Sequence, residues 1–244
     1  MNAFADLHCH ALCGVDDGAP DEATMYEMLR MAYQNGTRTL CLTPHCSAEH
    51  MPPQALVDAA FAKALHYCRE NLPDMELYLG NELTYRFGCV ELLTAGECRT
   101  IADSRYVLVD FWLVPDVASI LRGVDNLQNA GYLPIVAHVE RYDCFGGRMK
   151  ELARLIETGA VIQVNAESLL GGPFSRAGRT ARRLLAEGWV DVVASDGHDT
   201  LMRAPTLEAA YGTVRKKYGE EYATRLFSET PGRILRGEKI DQNR

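Results

Sequence analysis

The chain has few of the features that mark a membrane protein or a nucleic-acid-binding protein. Its 244 residues include no run of about 18 apolar residues, the length that a transmembrane helix needs. Lysine and arginine total 25 against 33 aspartates and glutamates, which gives a net charge of −8. Binding nucleic-acid phosphates requires a basic face. We therefore expect no membrane insertion and no nucleic-acid partner.

Characteristic cysteine patterns are also missing. The eight cysteines form no C-x-x-C pair, and none has an arginine six residues later. The second absence excludes the C-x5-R loop of the phosphatases that use a cysteine nucleophile. Cysteines scattered through predicted strands and helices, such as Cys41 and Cys68, indicate reduced thiols. With no basic, apolar leader at the N-terminus, the chain is expected to be cytoplasmic.

No proline-, glycine- or serine-rich linker divides the chain, so we predict one domain over residues 1–244 rather than two smaller ones. Amphipathic helical patterns alternate with β-rich runs, and a glycine often separates a helix from the next strand, as at Gly36 and Gly188. This alternation predicts a parallel α/β fold. The helix candidates are 21–36, 54–71, 117–130, 147–158, 176–187 and 205–218. The strand candidates are 4–8, 38–43, 75–80, 106–111, 134–138, 160–165 and 190–195.

Side chains of the kind that bind metal ions lie at or just past the carboxyl end of nearly every strand candidate. Parallel strands of an α/β barrel direct these ends to one face, so residues far apart in sequence are predicted to converge. His8 and His10 alternate with Cys9 and project to the same side of their strand. The predicted ligands are His8, His10, Asp17, His45, Glu82, Asp110, His138, Asp196 and His198.

Five imidazoles and four carboxylates are more than one ion needs, because a tetrahedral zinc takes about four ligands. We therefore expect two or three divalent ions with bridging carboxylates. Nitrogen and oxygen donors without a thiolate suit Mn²⁺, Fe²⁺ or Zn²⁺. Taken singly, each residue has an ordinary explanation, such as a hydrogen-bonded core histidine or a helix cap. Asp16, beside Asp17, is read as part of an acidic turn.

Two arginines lie close to the predicted ligands in sequence. Arg141 follows His138 by three residues, and Arg203 follows His198 by five. Three divalent ions and four carboxylates would leave a net charge of about +2, which attracts a phosphate monoester. A guanidinium group can bind two phosphate oxygens at once, so both arginines are predicted to hold substrate phosphate and to act in catalysis. Asp199 is a candidate proton donor.

A further basic run lies in the helix candidate 176–187 and is expected to form a solvated helix face. The alternative is that it receives an acidic or phosphorylated peptide. Its members are Arg176, Arg179, Arg182 and Arg183.

The chain resembles the PHP (polymerase and histidinol phosphatase) superfamily, and within it the capsule and exopolysaccharide type of bacterial metal-dependent protein tyrosine phosphatase (CpsB/YwqE-like). The resemblance is carried by an ordered set of motifs between about residues 6 and 203. These are DLHCHALCGVDDGA, TPH, GNE, AHVERY, QVNAESLLG and ASDGH.

The resemblance implies a distorted TIM-like (β/α)7 barrel with three metal ions, often manganese, at the carboxyl ends of the strands. It implies hydrolysis of phosphotyrosine on the tail of a bacterial tyrosine autokinase that controls polysaccharide export. It supports the same nine ligands and the same two arginines. The family usually has glutamate where this chain has Asp110, so one metal position is expected to shift.

Other functions remain open from the sequence. Within the superfamily, hydrolysis of histidinol phosphate, another small phosphomonoester or a phosphodiester would use a similar site. Outside enzymes, the chain could be a metal-stabilised regulatory module of polysaccharide assembly. The sequence leaves the oligomeric state open, since it shows no exposed apolar heptad pattern.

Overall fold

The structure is a computed structural model that describes residues 3–114, 116–172 and 174–240; the other positions of the predicted 1–244 domain lie outside the described residues. Each of the seven strand candidates contains a strand. The described strands are β1 (Phe4–Asp6), β2 (Thr37–Leu42), β3 (His45–Cys46), β4 (Glu76–Leu79), β5 (Glu82–Thr84), β6 (Tyr106–Asp110), β7 (Leu133–Val136), β8 (Val161–Asn165) and β9 (Val192–Ala194).

The short strands β3 and β5 continue β2 and β4 after brief interruptions. β2 breaks at Thr43 and Pro44, and β4 breaks at Gly80 and Asn81. Backbone hydrogen bonds from Gly80 N to Leu42 O (3.0 Å) and from Glu82 N to Pro44 O (3.1 Å) keep the two runs side by side. The nine strands are therefore seven runs, all paired in parallel, in the orders β1-β2-β4 and β3-β5-β6-β7-β8-β9.

The first and last runs also meet. A parallel bridge joins Cys9 to Gly197, just beyond the carboxyl ends of β1 and β9. His10 N donates to Gly197 O (2.8 Å), and Asp196 N donates to His8 O (2.9 Å). The strand order thereby returns to its start, and the predicted distorted (β/α)7 barrel is confirmed.

Helices connect the strand runs. Six of them lie within the predicted helical segments, and the last of these begins at Glu208 rather than 205. The short helices α3 and α6 were not predicted. The described helices are α1 (Glu22–Gln34), α2 (Gln54–Asn71), α3 (Cys89–Thr94), α4 (Val117–Asn129), α5 (Met149–Glu157), α6 (Ala166–Leu170), α7 (Arg176–Ala186), α8 (Glu208–Tyr218), α9 (Glu220–Thr224) and α10 (Thr230–Leu235).

Buried apolar side chains cover both faces of the strands. On one face, Val109 and Val193 pack in a cluster that includes residues of α4, α5, α7 and α8. On the other, Leu108 and Val192 belong to a separate cluster that includes Ile234 of α10. Strands buried on both faces are typical of parallel α/β proteins. Among the described residues, no helix combines the length and the apolar composition needed to cross a bilayer.

Candidate metal centre

The nine predicted ligands all lie together, and Glu82 is at the centre of the cluster. Its carboxylate is buried at the start of β5, within 3.3 Å of four imidazoles. The distances are 3.3 Å to His8 Nε2, 3.3 Å to His10 Nε2, 2.9 Å to His45 Nδ1 and 2.8 Å to His138 Nε2. One side chain therefore links its own strand run to three others.

The remaining ligand candidates flank this centre. Asp17 Oδ1 lies 3.2 Å from His45 Nε2 and 3.5 Å from His198 Nε2. Asp196 Oδ1 lies 3.4 Å from His8 Nε2. Asp110 Oδ1 is 4.0 Å from His138 Nδ1.

Eight of these side chains form three groups whose donor atoms lie within 4.8 Å of one another. His10 belongs to two groups and Glu82 to two, so neighbouring groups share a side chain. Asp196 is not a member, although it borders the first two groups. The groups are His10, Asp17, His45 and His198; His8, His10 and Glu82; and Glu82, Asp110 and His138.

The donor atoms fit divalent cations. Within the described residues, two buried imidazole nitrogens of the cluster have no hydrogen-bond partner: His138 Nδ1 and His198 Nε2. Leaving a buried polar atom unsatisfied costs roughly 1–3 kcal/mol. His8 Nε2 and His10 Nε2 also face each other at 3.0 Å. A cation held between these atoms would satisfy them.

Asp16 orients the imidazole of His10. From the sequence it was expected only to be part of an acidic turn. Its Oδ2 atom accepts hydrogen bonds from His10 Nδ1 (2.7 Å) and from the backbone N of His45 (3.0 Å). The Nε2 atom of His10 is thereby directed into the cluster. Gly18 packs so closely on His10 that an added Cβ would lie 1.8 Å from its carbonyl oxygen. The acidic loop therefore requires glycine at this position.

Two polar residues of β8, Gln163 and Asn165, form hydrogen bonds with residues of the cluster. Gln163 Oε1 accepts from His8 Nδ1 (3.2 Å) and from the backbone N of His138 (2.9 Å). Asn165 Nδ2 donates to Asp196 Oδ2 (2.7 Å), and Gln163 Nε2 donates to Asn165 Oδ1 (2.8 Å). The signal in the sequence was the i, i+2 spacing of two amides in an otherwise apolar strand.

Asp6 holds β1 against the segment after β9. Its buried Oδ1 atom accepts from the backbone N of His8 (3.3 Å) and of Ser195 (3.0 Å). Burial raises the pKa of Asp6 above its usual range. A lone aspartate in the apolar run FADL was the signal for this residue.

Two ligand candidates have an unusual backbone conformation. His138 has φ = 32° and Asp196 has φ = 54°, in the left-handed region that residues other than glycine rarely adopt. Hydrogen bonds from His138 N to Gln163 and from Asp196 N to His8 O hold these conformations. Such strain is typical of functional sites, where the surrounding structure enforces it.

The two arginines meet at Asp196. The guanidinium groups of Arg141 and Arg203 lie 3.0 Å and 2.9 Å from its carboxylate. Their side chains remain 48% and 34% exposed, and both line a cavity of about 800 Å³ above the cluster. They can therefore offer further N–H groups to an anion beside the metal ligands.

Asp199 does not suit the role of proton donor. Its Oδ1 atom accepts hydrogen bonds from the backbone N atoms of Leu201, Met202 and Arg203. Partial burial raises the pKa of Asp199, but these three donors outweigh burial and lower it overall. The carboxylate therefore stays ionised and shapes the turn that carries Arg203.

The histidines of the cluster have strongly shifted pKa values. Burial alone would lower the pKa of His8, but the charges of Glu82 and Asp196 raise it to about 9. Against the same effect of burial, hydrogen bonds to Asp17 and Glu82 raise the pKa of His45 to about 11. Burial and the neighbouring His10 lower the pKa of His198 to about 4. Without metal, the positive charges of protonated His8 and His45 offset negative charge on the neighbouring carboxylates.

The basic run lies on α7, and its described contacts are to neighbouring loops. Arg176 contacts Asp143 through its backbone oxygen (2.9 Å) and its carboxylate (2.8 Å). Arg182 donates to the backbone oxygen of Gly171 (2.8 Å). These contacts fit the expected partly solvated helix face.

A ring of parallel strands with imidazoles and carboxylates gathered at the carboxyl ends defines a metal-binding α/β barrel. The family model described as "Capsular polysaccharide synthesis, CpsB/CapC" matches residues 4–236, and the chain belongs to this family. The resemblance inferred from the motifs is thereby confirmed.

Individual relatives are similar over nearly their whole length. The tyrosine-protein phosphatase YwqE of Bacillus subtilis is 32% identical over 96% of this chain and 92% of its own. The tyrosine-protein phosphatase CpsB of Streptococcus pneumoniae is 30% identical over 96% of this chain and 99% of its own. A crystal structure from work on these two proteins, described as metal-dependent tyrosine phosphatases, has a TM-score of 0.88 at 28% identity and covers 98% of this chain and 96% of that chain.

Proposed function

We propose that this chain is a metal-dependent phosphoric monoester hydrolase that removes phosphate from phosphotyrosine in proteins. The observation that carries the proposal is a cluster of nine side chains of the kinds that bind metal ions, beside a cavity lined by two partly exposed arginines. The names of its relatives support the same reaction, since CpsB and YwqE are tyrosine-protein phosphatases.

The described residues suggest how the site works. Divalent ions held by the nine side chains would supply a nucleophile near neutral pH. Arg141 and Arg203 bind the outer phosphate oxygens and stabilise the charge that develops on them. Asp196 contacts both guanidinium groups and so fixes their position. Tyrosinate leaves readily because the pKa of tyrosine is about 10, well below that of an aliphatic alcohol.

The donor groups favour two or three ions per chain, and we propose Mn²⁺ as the native metal, with Fe²⁺ or Zn²⁺ as alternatives. Three neighbouring donor groups provide places for adjacent ions, and the two carboxylate oxygens of Glu82 can serve two of these ions. Imidazole and carboxylate donors without a thiolate suit these metals. The nine side chains are proposed as the ligands, with Asp196 at the edge of the first two groups.

The substrate that we propose is a phosphotyrosine-containing protein, in particular a bacterial tyrosine autokinase that regulates capsular or exopolysaccharide synthesis. The family description, which refers to capsular polysaccharide synthesis, supports this context. The eight cysteines are all free, which is consistent with the cytoplasm. Residues 1–244 are proposed to form a single domain that carries the whole activity.

The proposal is tested by comparing substrates after the metal has been removed with a chelator and restored as Mn²⁺, Fe²⁺ or Zn²⁺. We expect turnover of a phosphotyrosyl peptide to depend on the added metal and to exceed turnover of histidinol phosphate and of a phosphodiester. Glu82→Gln should abolish it, whereas Glu157→Gln, an exposed glutamate at the end of α5, should not.

Two results would contradict the proposal. A preference for histidinol phosphate or the diester would assign the site to another reaction of the superfamily. No turnover of any phosphomonoester with all three metals supplied would favour the non-catalytic regulatory module.

A further inference from the structure

A second cavity, of about 770 Å³, opens beside the cluster, and we call it the flanking cleft. It shares four lining residues with the cavity that holds the arginines: Asp17, His45, Trp112 and Leu113. The two cavities therefore adjoin along this wall. A volume of this size lies within the usual range of ligand sites, roughly 300–1,000 Å³.

Most of the exposed surface of the flanking cleft is apolar. Trp112 is 66% exposed and Leu113 is 41% exposed. Met51 and Pro52 are partly buried on the same cleft. Single exposed apolar residues are ordinary on a protein surface, but several gathered in one concave site are typical of a binding surface.

The charged residues of the flanking cleft do not favour an acidic ligand. Arg86 lies 3.3 Å from Glu49, and the two side chains are 40% and 58% exposed. Because Arg86 already has a carboxylate partner and Asp17 lies at the shared wall, an apolar side chain suits this lining better than a carboxylate.

We propose that the flanking cleft binds an apolar side chain of the substrate, one to three residues from the phosphotyrosine. An extended peptide advances about 3.3 Å per residue, so side chains this close can reach a cavity that adjoins the phosphate site. The phosphate then lies at Arg141 and Arg203 while the neighbouring side chain packs between Met51 and Leu113. This inference rests on the proposed function and adds a preference among phosphotyrosyl peptides.

The test uses the full chain loaded with Mn²⁺ and a series of phosphotyrosyl peptides. One peptide has only glycine and serine within three residues of the phosphotyrosine, and the others carry a single leucine or aspartate at each of those positions. We expect kcat/KM to be roughly tenfold higher for at least one leucine peptide than for the glycine peptide, because burying a few apolar groups in a pocket yields about this discrimination. The aspartate peptides should show no such gain.

Substitution of Met51 should remove the preference. In Met51→Ser and in the better size-matched Met51→Gln, the ratio of kcat/KM for the leucine and glycine peptides should fall towards 1. Leu56→Ser changes an exposed apolar residue of α2 that lines neither cavity, and should keep the ratio. Circular dichroism and the Tm establish that each variant is folded.

Several results would overturn the inference. They are a wild-type enzyme that hydrolyses all the peptides equally, a ratio that survives both Met51 variants, and a preference for aspartate. Light scattering that shows a dimer dissociated by Leu113→Ser would assign the flanking cleft to a second copy of the chain. A wild-type protein that hydrolyses no phosphotyrosyl substrate would instead refute the proposed function.

Discussion

Two imidazoles of the cluster, those of His8 and His10, each have a partner that fixes which nitrogen faces the metal site. Gln163 accepts from Nδ1 of His8 and leaves its Nε2 atom free to face Glu82 and His10. Asp16 does the same for His10 through a hydrogen bond of 2.7 Å. Residues that orient ligands in this way contribute to metal affinity without touching the ion.

Replacing Gln163 tests this dependence. In Gln163→Leu, His8 loses its Nδ1 acceptor and His138 loses the acceptor of its strained backbone N–H. We expect Mn²⁺ affinity to fall roughly 10–100-fold, the usual effect of removing an orienting partner. Isothermal titration calorimetry measures the affinity. The control is Gln128→Leu in α4, which removes a half-buried glutamine that donates a hydrogen bond to the backbone oxygen of Thr158 and should leave the Mn²⁺ affinity unchanged. Equal losses of affinity in both variants would refute the orienting role.

Arg141 provides a second prediction for a single residue. Arg141→Lys keeps the positive charge but loses the fork that binds two phosphate oxygens. We expect kcat on a phosphotyrosyl peptide to fall roughly 100-fold, as when one preorganised donor to a developing oxyanion is removed. Elemental analysis should show unchanged metal content. The control is Arg154→Lys, in an exposed ion pair with Glu151, which should leave kcat unchanged. Unaltered turnover by the Arg141 variant would exclude Arg141 from catalysis.

The sequence predicted the candidate ligands better than the residues that orient them. His45, Glu82 and His138 stand at strand ends, where a barrel directs them to one face, so position alone indicated convergence. Gln163 and Asp16 were missed because a glutamine in a strand or an aspartate in a turn has many ordinary roles. Only the contacts with His8 and His10 distinguish these two residues.

At the scale of elements, the acidic loop after β1 has to pass very close to His10. Gly18 allows this approach, since a Cβ at this position would lie 1.8 Å from the carbonyl oxygen of His10 and 2.7 Å from its Cβ. The loop also carries Asp16 and Asp17, so its path determines both the orientation of His10 and the first donor group.

Two glycine substitutions should therefore have opposite effects. Gly18→Ala should displace the acidic loop and lower both the Tm and the number of Mn²⁺ ions bound per chain. Gly212→Ala lies within α8, where an added Cβ meets nothing within 4 Å, and should stabilise the protein by about 0.5–1 kcal/mol. Thermal unfolding and elemental analysis of both variants provide the comparison. A Gly18 variant with normal metal content would show that the loop tolerates displacement.

Element boundaries followed the sequence where periodicity was strong and departed from it where elements are short. Helix α2 occupies exactly its predicted range, 54–71. Helices α3 and α6 have only six and five residues, too few to show a period of 3.6. The two-residue strand β3 was not predicted, because the predicted run ended at 43 and nothing beyond it looked like a strand.

For the whole molecule, metal binding and proton release are linked. The pKa values of His8 and His45, about 9 and about 11, keep both imidazoles protonated near pH 7 in the metal-free protein. A cation binds the neutral imidazole, so these protons must leave when metal binds. Protons therefore compete with metal at every pH below these values.

Mn²⁺ affinity should consequently rise with pH. We expect the apparent Kd to decrease at least roughly tenfold for each pH unit between 6 and 8, because at least one bound proton is displaced. Calorimetry in two buffers with different heats of protonation measures the protons released. A Kd that stays constant over this range, with no proton release, would show that the histidines are not the ligands.

The central claim is that nine side chains from six of the seven strand runs and their loops hold the metal ions of a phosphotyrosine phosphatase. Anomalous X-ray diffraction at the manganese edge, on crystals of the Mn²⁺-reconstituted protein, tests it most directly. Two or three peaks are predicted within coordination distance of the three donor groups, with the carboxylate of Glu82 within reach of two of them. No peak in the cluster, or peaks only elsewhere on the barrel, would contradict the account.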